Sequence, residues 1–257
     1  MDLRDPGGAE QAEERFRLRA FPIALTILLG LAISFLSFST IEFLKLVVRL
    51  PERPEMPWVG DYYFHIVEFV YALVAIAFLK LRRPGEFGLR FPDGESYVGD
   101  AIRWGLLFGV VMTAVDFAPQ LIAMHRPDQP YPLTPLNIAG WFSYQGVFVG
   151  LSEEVFFRGL LVTYLTQRLP GRVTFRGIKM NGAGVVVAVL YALSYSESFL
   201  SRALPIALGQ MLYAFALGLF FAYWYEKSKS LLAPIIGHNV SAAMEQALIF
   251  AMVVAFR

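Results

Sequence analysis

The chain has 257 residues, of which 56% are hydrophobic, 15% aromatic and only 17% charged, and its net charge is +1. A soluble domain carries about 25% charged residues, and near-neutrality gives no sign of nucleic-acid binding. The absence of cysteine excludes disulfides, thiolate metal sites and thiol nucleophiles.

Mean hydropathy is +0.53. Several apolar runs exceed about 18 residues, the length at which a hydrophobic stretch reads as a transmembrane helix. The runs are continuous rather than alternating, which argues against a β-barrel. The expected fold class is an all-α polytopic membrane protein, with about seven transmembrane helices in one bundle.

Residues 1–20 are polar and mixed in charge and read as an N-terminal tail; residues 21–257 read as a single transmembrane domain. The first span is expected from Phe21 to Val48. It is too long for a signal peptide, and no small-residue cleavage site follows it. Glu42 and Lys45 fall in its last turns, where they can pair or snorkel. A proline-punctuated loop, Leu50 to Pro57, leads to a second span from Tyr62 to Leu79, with His65 and Glu68 near its start. Lys80 to Ser96 is a polar loop with Pro-Gly and Asp-Gly turn signals.

The third span is expected from Val98 to Met124, with Asp116 and Pro119 inside it. His125 to Pro135 holds four prolines and cannot be helical throughout. The fourth element, Asn137 to Arg168, would reach about 48 Å as a helix and must tilt, kink or project from the bilayer. Within it, Gly146-Val-Phe-Val-Gly150 is a small-xxx-small face suited to close helix packing. Three further spans follow, Ala183 to Ser196, Leu204 to Tyr225 and Leu231 to Phe256, the first of them short.

Lys and Arg number four in the tail, four in Lys80–Ser96, four in Arg168–Gly182 and two in Glu226–Ser230. Arg49, Arg53, Arg126, Arg202 and Arg257 fall on the other side. By the positive-inside rule the N-terminus is cytoplasmic and the C-terminus outside, in a plasma (inner) membrane.

The stretch that demands an explanation is Ser152-Glu153-Glu154-Val-Phe-Phe-Arg158-Gly159. An ionisable group at membrane depth costs about 2.5–3.5 kcal/mol on insertion scales, so such groups face a protein interior or a wet cavity and mark function. On a helix, Glu154 and Arg158 are i,i+4 neighbours and can pair. Glu153 lies about 100° round the helix and is left free, which suits general acid–base work. The plainer reading is an interhelical polar network that only holds the bundle together. His238 follows Pro234 and Gly237 and lies about 10 Å deep in the last span. Alone it reads as a histidine satisfied by one interhelical bond; beside two glutamates it reads as a base, proton shuttle or ligand. His65 and His125 read as structural or interfacial.

These residues resemble the CAAX protease and bacteriocin-processing family of intramembrane metalloproteases, which includes the Ras-converting CAAX endopeptidase. The resemblance rests on Glu153-Glu154-x-x-x-Arg158 followed by Gly159-Leu-Leu, then Arg176-Gly-Ile-Lys, Tyr191-Ala-Leu-Ser-Tyr195, Leu217-Gly-Leu-Phe-Phe-Ala-Tyr, and Leu231 to His238. It covers residues 141–248. The resemblance implies that Glu153 activates water, that Glu154 and Arg158 are its partners, and that His238 is the histidine of a His-x-x-x-Asn motif. The family's second motif, Phe-x-x-x-His, reads Tyr191-x-x-x-Tyr195 here, and Ala242 stands at the final asparagine.

A catalytic zinc site uses about three His or carboxylate ligands. Two cofactor readings therefore stand: a Zn2+ held by His238 and Glu154, or no metal, with a glutamate-activated water and Tyr195 as an oxyanion donor. The resemblance implies an endopeptidase acting on a membrane-associated peptide or protein substrate within the lipid bilayer. A catalytically degenerate member serving as a scaffold or immunity-type protein is the alternative. A transporter using Glu153 and Asp116 as proton sites is the weakest reading, since neither internal repeats nor paired broken helices are evident.

Overall fold

The structure is a computed structural model that describes residues 17–51, 53–79, 84–128, 131–175 and 177–256. Residues 1–16 of the expected tail, Lys80 and Arg176 lie outside the described residues. Six helices are long and apolar enough to cross a membrane. They are α1 (Ala20–Val47), α2 (Trp58–Leu79), α3 (Val98–Asp116), the run Gly182–Ser201, α10 (Leu204–Ser228) and α11 (Leu232–Ala255).

The remaining expected span departs from regular geometry. Residues 135–166 are helical throughout, but α5 (Pro135–Ser143), α6 (Val149–Glu154) and α7 (Thr163–Thr166) are separated by two π-helical segments, Tyr144–Phe148 and Val155–Val162. Widened turns of this kind are rare and recur at functional sites. They flank the Glu153-Glu154 pair. Thr134 caps the run at its start by accepting a hydrogen bond from the Asn137 amide at 3.2 Å, with Pro135 in the first turn. Asn137 then ties the run to α2, accepting from Trp58 Nε1 at 3.0 Å and donating to the Glu55 carbonyl at 2.8 Å.

The third span also differs from expectation. It ends at Asp116, and a separate short helix, α4 (Ala118–Ala123), follows. Pro119 is the cause: it lacks an amide hydrogen and is accommodated only in the first turn of a new helix. The short span after Gly182 is α8 (Gly182–Ser194), continued by a 3-10 turn at Tyr195–Glu197 and by α9 (Ser198–Ser201). Ahead of it, β1 (Arg172–Phe175) and β2 (Ile178–Asn181) form an antiparallel hairpin. Asn181 closes that hairpin and caps α8, accepting from the Ala183 amide at 2.8 Å.

Burial is inverted relative to a soluble protein. Leu28, Leu31, Phe35, Phe38 and Leu46 of α1 are exposed, while Glu68, Asp116, Glu154, Arg158, Gln210 and His238 are buried. Lipid tails are as apolar as leucine, so helix association here rests on close packing and interhelical hydrogen bonds. Glycines provide the approach. A methyl group added at Gly109 of α3 would lie 2.6 Å from Met244 Cβ and from the Ser241 carbonyl on α11. One added at Gly150 would lie 2.9 Å from His238 Cβ and from the Ile235 carbonyl. The expected small-residue face at Gly146–Gly150 is thus the seat of α11.

Asn239 completes that contact. Its Oδ1 accepts from the Gly150 amide at 2.8 Å, and its Nδ2 donates to the Val147 carbonyl at 3.0 Å. A side-chain amide therefore supports the backbone where the π segment passes into α6. Gly150→Ala is expected to destabilise the fold by about 1–3 kcal/mol through overpacking. Gly60→Ala, on a helix position with open space around it, should be neutral or slightly stabilising. Thermal unfolding of both variants in detergent checks this; equal midpoints would refute the packing argument.

Candidate active site

Adjacent residues of a helix point about 100° apart, and the structure uses that angle to separate the two glutamates. Glu154 points into the bundle and is fully buried, as is Arg158 one turn on. Arg158 Nη1 donates to Glu154 Oε1 at 2.9 Å. The guanidinium lies over the Tyr191 ring at 4.6 Å and the Phe221 ring at 5.1 Å from their centroids. Its Nε and Nη2 have no hydrogen-bond partner among the described residues, and aromatic faces surround the guanidinium.

His238 meets the same glutamate from α11. Its Nδ1 lies 2.9 Å from Glu154 Oε1. With Glu154 ionised, Nδ1 must carry the hydrogen and donate, which fixes the tautomer. The ring stacks on Phe221, with centroids 5.5 Å apart and planes 17° from parallel. The opposite edge of the ring, Nε2, then faces Glu153 Oε2 at 3.8 Å.

Glu153 is the carboxylate that stays accessible. It lines a cavity of about 790 Å3, together with His65, Glu68, Tyr195 and apolar residues of α1 that include Ile27, Gly30 and Leu31. Tyr195 sits where α8 gives way to the 3-10 turn, its ring set edge-on to Tyr191 with centroids 5.8 Å apart. Glu153, Glu154, Arg158, Tyr195 and His238 therefore gather in one region. They divide between a buried pair, Glu154–Arg158, and two cavity-lining groups, Glu153 and Tyr195, with His238 between them.

The structure adds a residue that sequence reasoning set aside. His65 of α2 brings Nε2 to 3.4 Å from Glu153 Oε1. Its Nδ1 lies 2.9 Å from the Tyr144 hydroxyl and 2.9 Å from the Asp61 carbonyl. A histidine near the start of a span, remote in sequence from the glutamates, gives no local signal of that contact. The one available clue was Glu68, a turn further along the same apolar helix and also on the cavity. His125 is exposed and takes no part.

A metal is implied by the family resemblance, and the donor set can be tested for it. Among the described residues no group of three or more His, Asp or Glu side chains converges as ligands would. The expected partnership of His238 and Glu154 as zinc ligands takes another form. Glu154 occupies the Nδ1 edge of the imidazole and Glu153 the Nε2 edge, on opposite sides of the ring. The residues as placed do not fit a three-ligand zinc centre.

Removing one partner of a buried ion pair leaves an uncompensated charge and costs about 3–5 kcal/mol. Arg158→Ala should therefore lower the thermal midpoint in detergent well below that of Glu153→Gln, whose site opens on the cavity. Equal midpoints, or a lower one for Glu153→Gln, would contradict the division between the two glutamates.

Residues 135–244 match the family model described as Type II CAAX prenyl endopeptidase Rce1-like. Neither a curated protein nor a solved structure matches the chain. The matched segment is close to the expected 141–248 and contains Glu153, Glu154, Arg158, Tyr195 and His238, whereas His65 lies ahead of it. Over residues 135–244, less than half of its length, this integral membrane protein is similar to the Rce1-like CAAX prenyl endopeptidase family.

Proposed function

We propose that the protein is an intramembrane endopeptidase that hydrolyses a peptide bond of a membrane-associated peptide or protein, with Glu153 activating water. The observation that carries this reading is the unequal treatment of two adjacent glutamates. Glu154 is consumed by Arg158 and His238 in the core, while Glu153 heads a large cavity opposite the free edge of His238.

The chemistry follows from those positions. Water enters the cavity and hydrogen-bonds to Glu153 and to the Nε2 lone pair of His238. Its oxygen adds to the peptide carbonyl carbon as Glu153 takes one of its protons. The carbonyl oxygen becomes an oxyanion, to which the Tyr195 hydroxyl donates. Collapse of the tetrahedral species breaks the C–N bond, and the proton held by Glu153 passes to the leaving amine. His238 is held in one tautomer by Glu154, as a carboxylate orients an imidazole in other hydrolytic sites. The apolar wall from α1 suits a substrate presented from the bilayer.

The scheme is tested with purified protein in proteoliposomes and a membrane-anchored peptide. Glu153→Gln should abolish cleavage. Tyr195→Phe should lower turnover by about 10²–10³, the usual cost of one oxyanion donor. Chelators should have little effect. Activity abolished by chelator and restored by zinc would refute the metal-free scheme. Wild-type cleavage no greater than that of Glu153→Gln would leave the family's non-proteolytic reading, a membrane scaffold or immunity-type protein, in its place.

A further inference from the structure

The Glu153 carboxylate has two oxygens in different surroundings. Oε2 faces His238 Nε2 at 3.8 Å, too far for a direct hydrogen bond. Oε1 faces His65 Nε2 at 3.4 Å, within reach of a bond. We infer that His65 of α2 is the positioning residue of the Glu153 base, engaging Oε1 so that Oε2 alone is left for water. This rests on the endopeptidase reading of the same site.

The hydrogen-bond arithmetic supports the assignment. An ionised carboxylate only accepts, so the contact requires a hydrogen on His65 Nε2. In the neutral ring Nδ1 is then a lone pair, and the Tyr144 hydroxyl at 2.9 Å supplies the donor it needs. In the charged ring Nδ1 donates instead, and the Asp61 carbonyl at 2.9 Å accepts. Both of these states place a hydrogen on Nε2 for Glu153, whereas the neutral Nδ1–H tautomer, donating to Asp61 with the Tyr144 hydroxyl 3.4 Å from Nε2, does not. Tyr144 is itself buried, and it belongs to the first π segment of the helix that carries Glu153. The chain of contacts Tyr144–His65–Glu153 thus leaves that helix, crosses to α2 and returns.

Packing fixes the ring as well as bonding does. His65 sits edge-on to Phe64 and Tyr144, with centroids 5.3 Å and 5.4 Å apart. Tyr62, a turn earlier on α2, packs on Tyr144 and Phe148 at 5.3 Å and 5.2 Å. α2 is therefore seated on the π segment by aromatic contacts that set how deep His65 reaches. A regular helix over residues 144–148 would carry Tyr144 and Phe148 at a different angle to Glu153.

Two measurements test this. The first is turnover in the proteoliposome assay. His65→Ala should lower kcat about 10–100-fold, the usual effect of removing an outer-shell orienting group, with KM changed less than about threefold. His65→Gln, which keeps a donor at similar reach, should recover most of the lost kcat. Tyr144→Phe should lower kcat less than His65→Ala does. A His65→Ala enzyme with wild-type kcat, alongside an inactive Glu153→Gln, would overturn the inference and leave the endopeptidase reading intact. A kcat equally low in His65→Gln and His65→Ala would assign His65 to packing alone and overturn it too. The second measurement needs no activity. In protein labelled with 15N-histidine, the His65 Nε2 resonance should shift on Glu153→Gln. An unchanged resonance would show that the two groups do not interact, whatever the assay reports.

Discussion

One oxygen of one buried carboxylate holds the site together. Glu154 Oε1 receives Arg158 from its own helix and His238 from α11, both at 2.9 Å. Without Arg158, the carboxylate would keep only its contact with His238. Without Glu154, the arginine would lie among Tyr191, Phe221 and Phe157 with no counter-charge. Both groups are fully buried, away from bulk solvent. The pair therefore fixes the rotation of the helix about its axis, and with it the direction in which the next residue back, Glu153, must point.

The interruptions of the helix serve the same end. The two π segments flank α6, which carries both glutamates. Each widened turn changes the register between the residues before it and those after it. Gly150 lets α11 approach closely, and Asn239 hydrogen-bonds across to the Val147 carbonyl and the Gly150 amide. The residue after His238 is thus a clamp on the helix that carries the glutamates. His238 cannot shift along α11 without breaking that clamp, so its distance from Glu153 is set by backbone contacts as well as by its own ring.

Much of this was legible in the sequence. The apolar runs located the spans, because length and hydropathy are properties of contiguous residues. The i,i+4 pairing of Glu154 with Arg158 and the i,i+3 pairing of Glu42 with Lys45 followed from helical periodicity, and the structure has both. Gly146 and Gly150 announced a close helix contact for the same reason, and the structure makes it with α11. The 32-residue length of residues 137–168 showed that this element tilts, kinks or projects from the bilayer. It could not show where the turns widen, because Gly146 lowers helix propensity within Tyr144–Phe148 without specifying a π turn. The break after Asp116 was readable in principle from Pro119, whose missing amide forces a new helix to begin.

His65 was out of reach for a different reason. Its contact with Glu153 joins residues 88 apart, and no periodicity connects them. The segment matched to the endopeptidase family begins at residue 135, so α1 and α2 lie wholly ahead of it. Yet α1 forms one wall of the cavity and α2 brings His65 and Glu68 to its polar end. An imidazole reaches the glutamate from α2, ahead of the matched segment. The matched segment holds the glutamate and its buried supports, while the helices before it shape what the glutamate faces. On the endopeptidase reading proposed above, changes in α1 and α2 should alter which substrate fits and how Glu153 is aimed, without touching the buried Glu154–Arg158 pair.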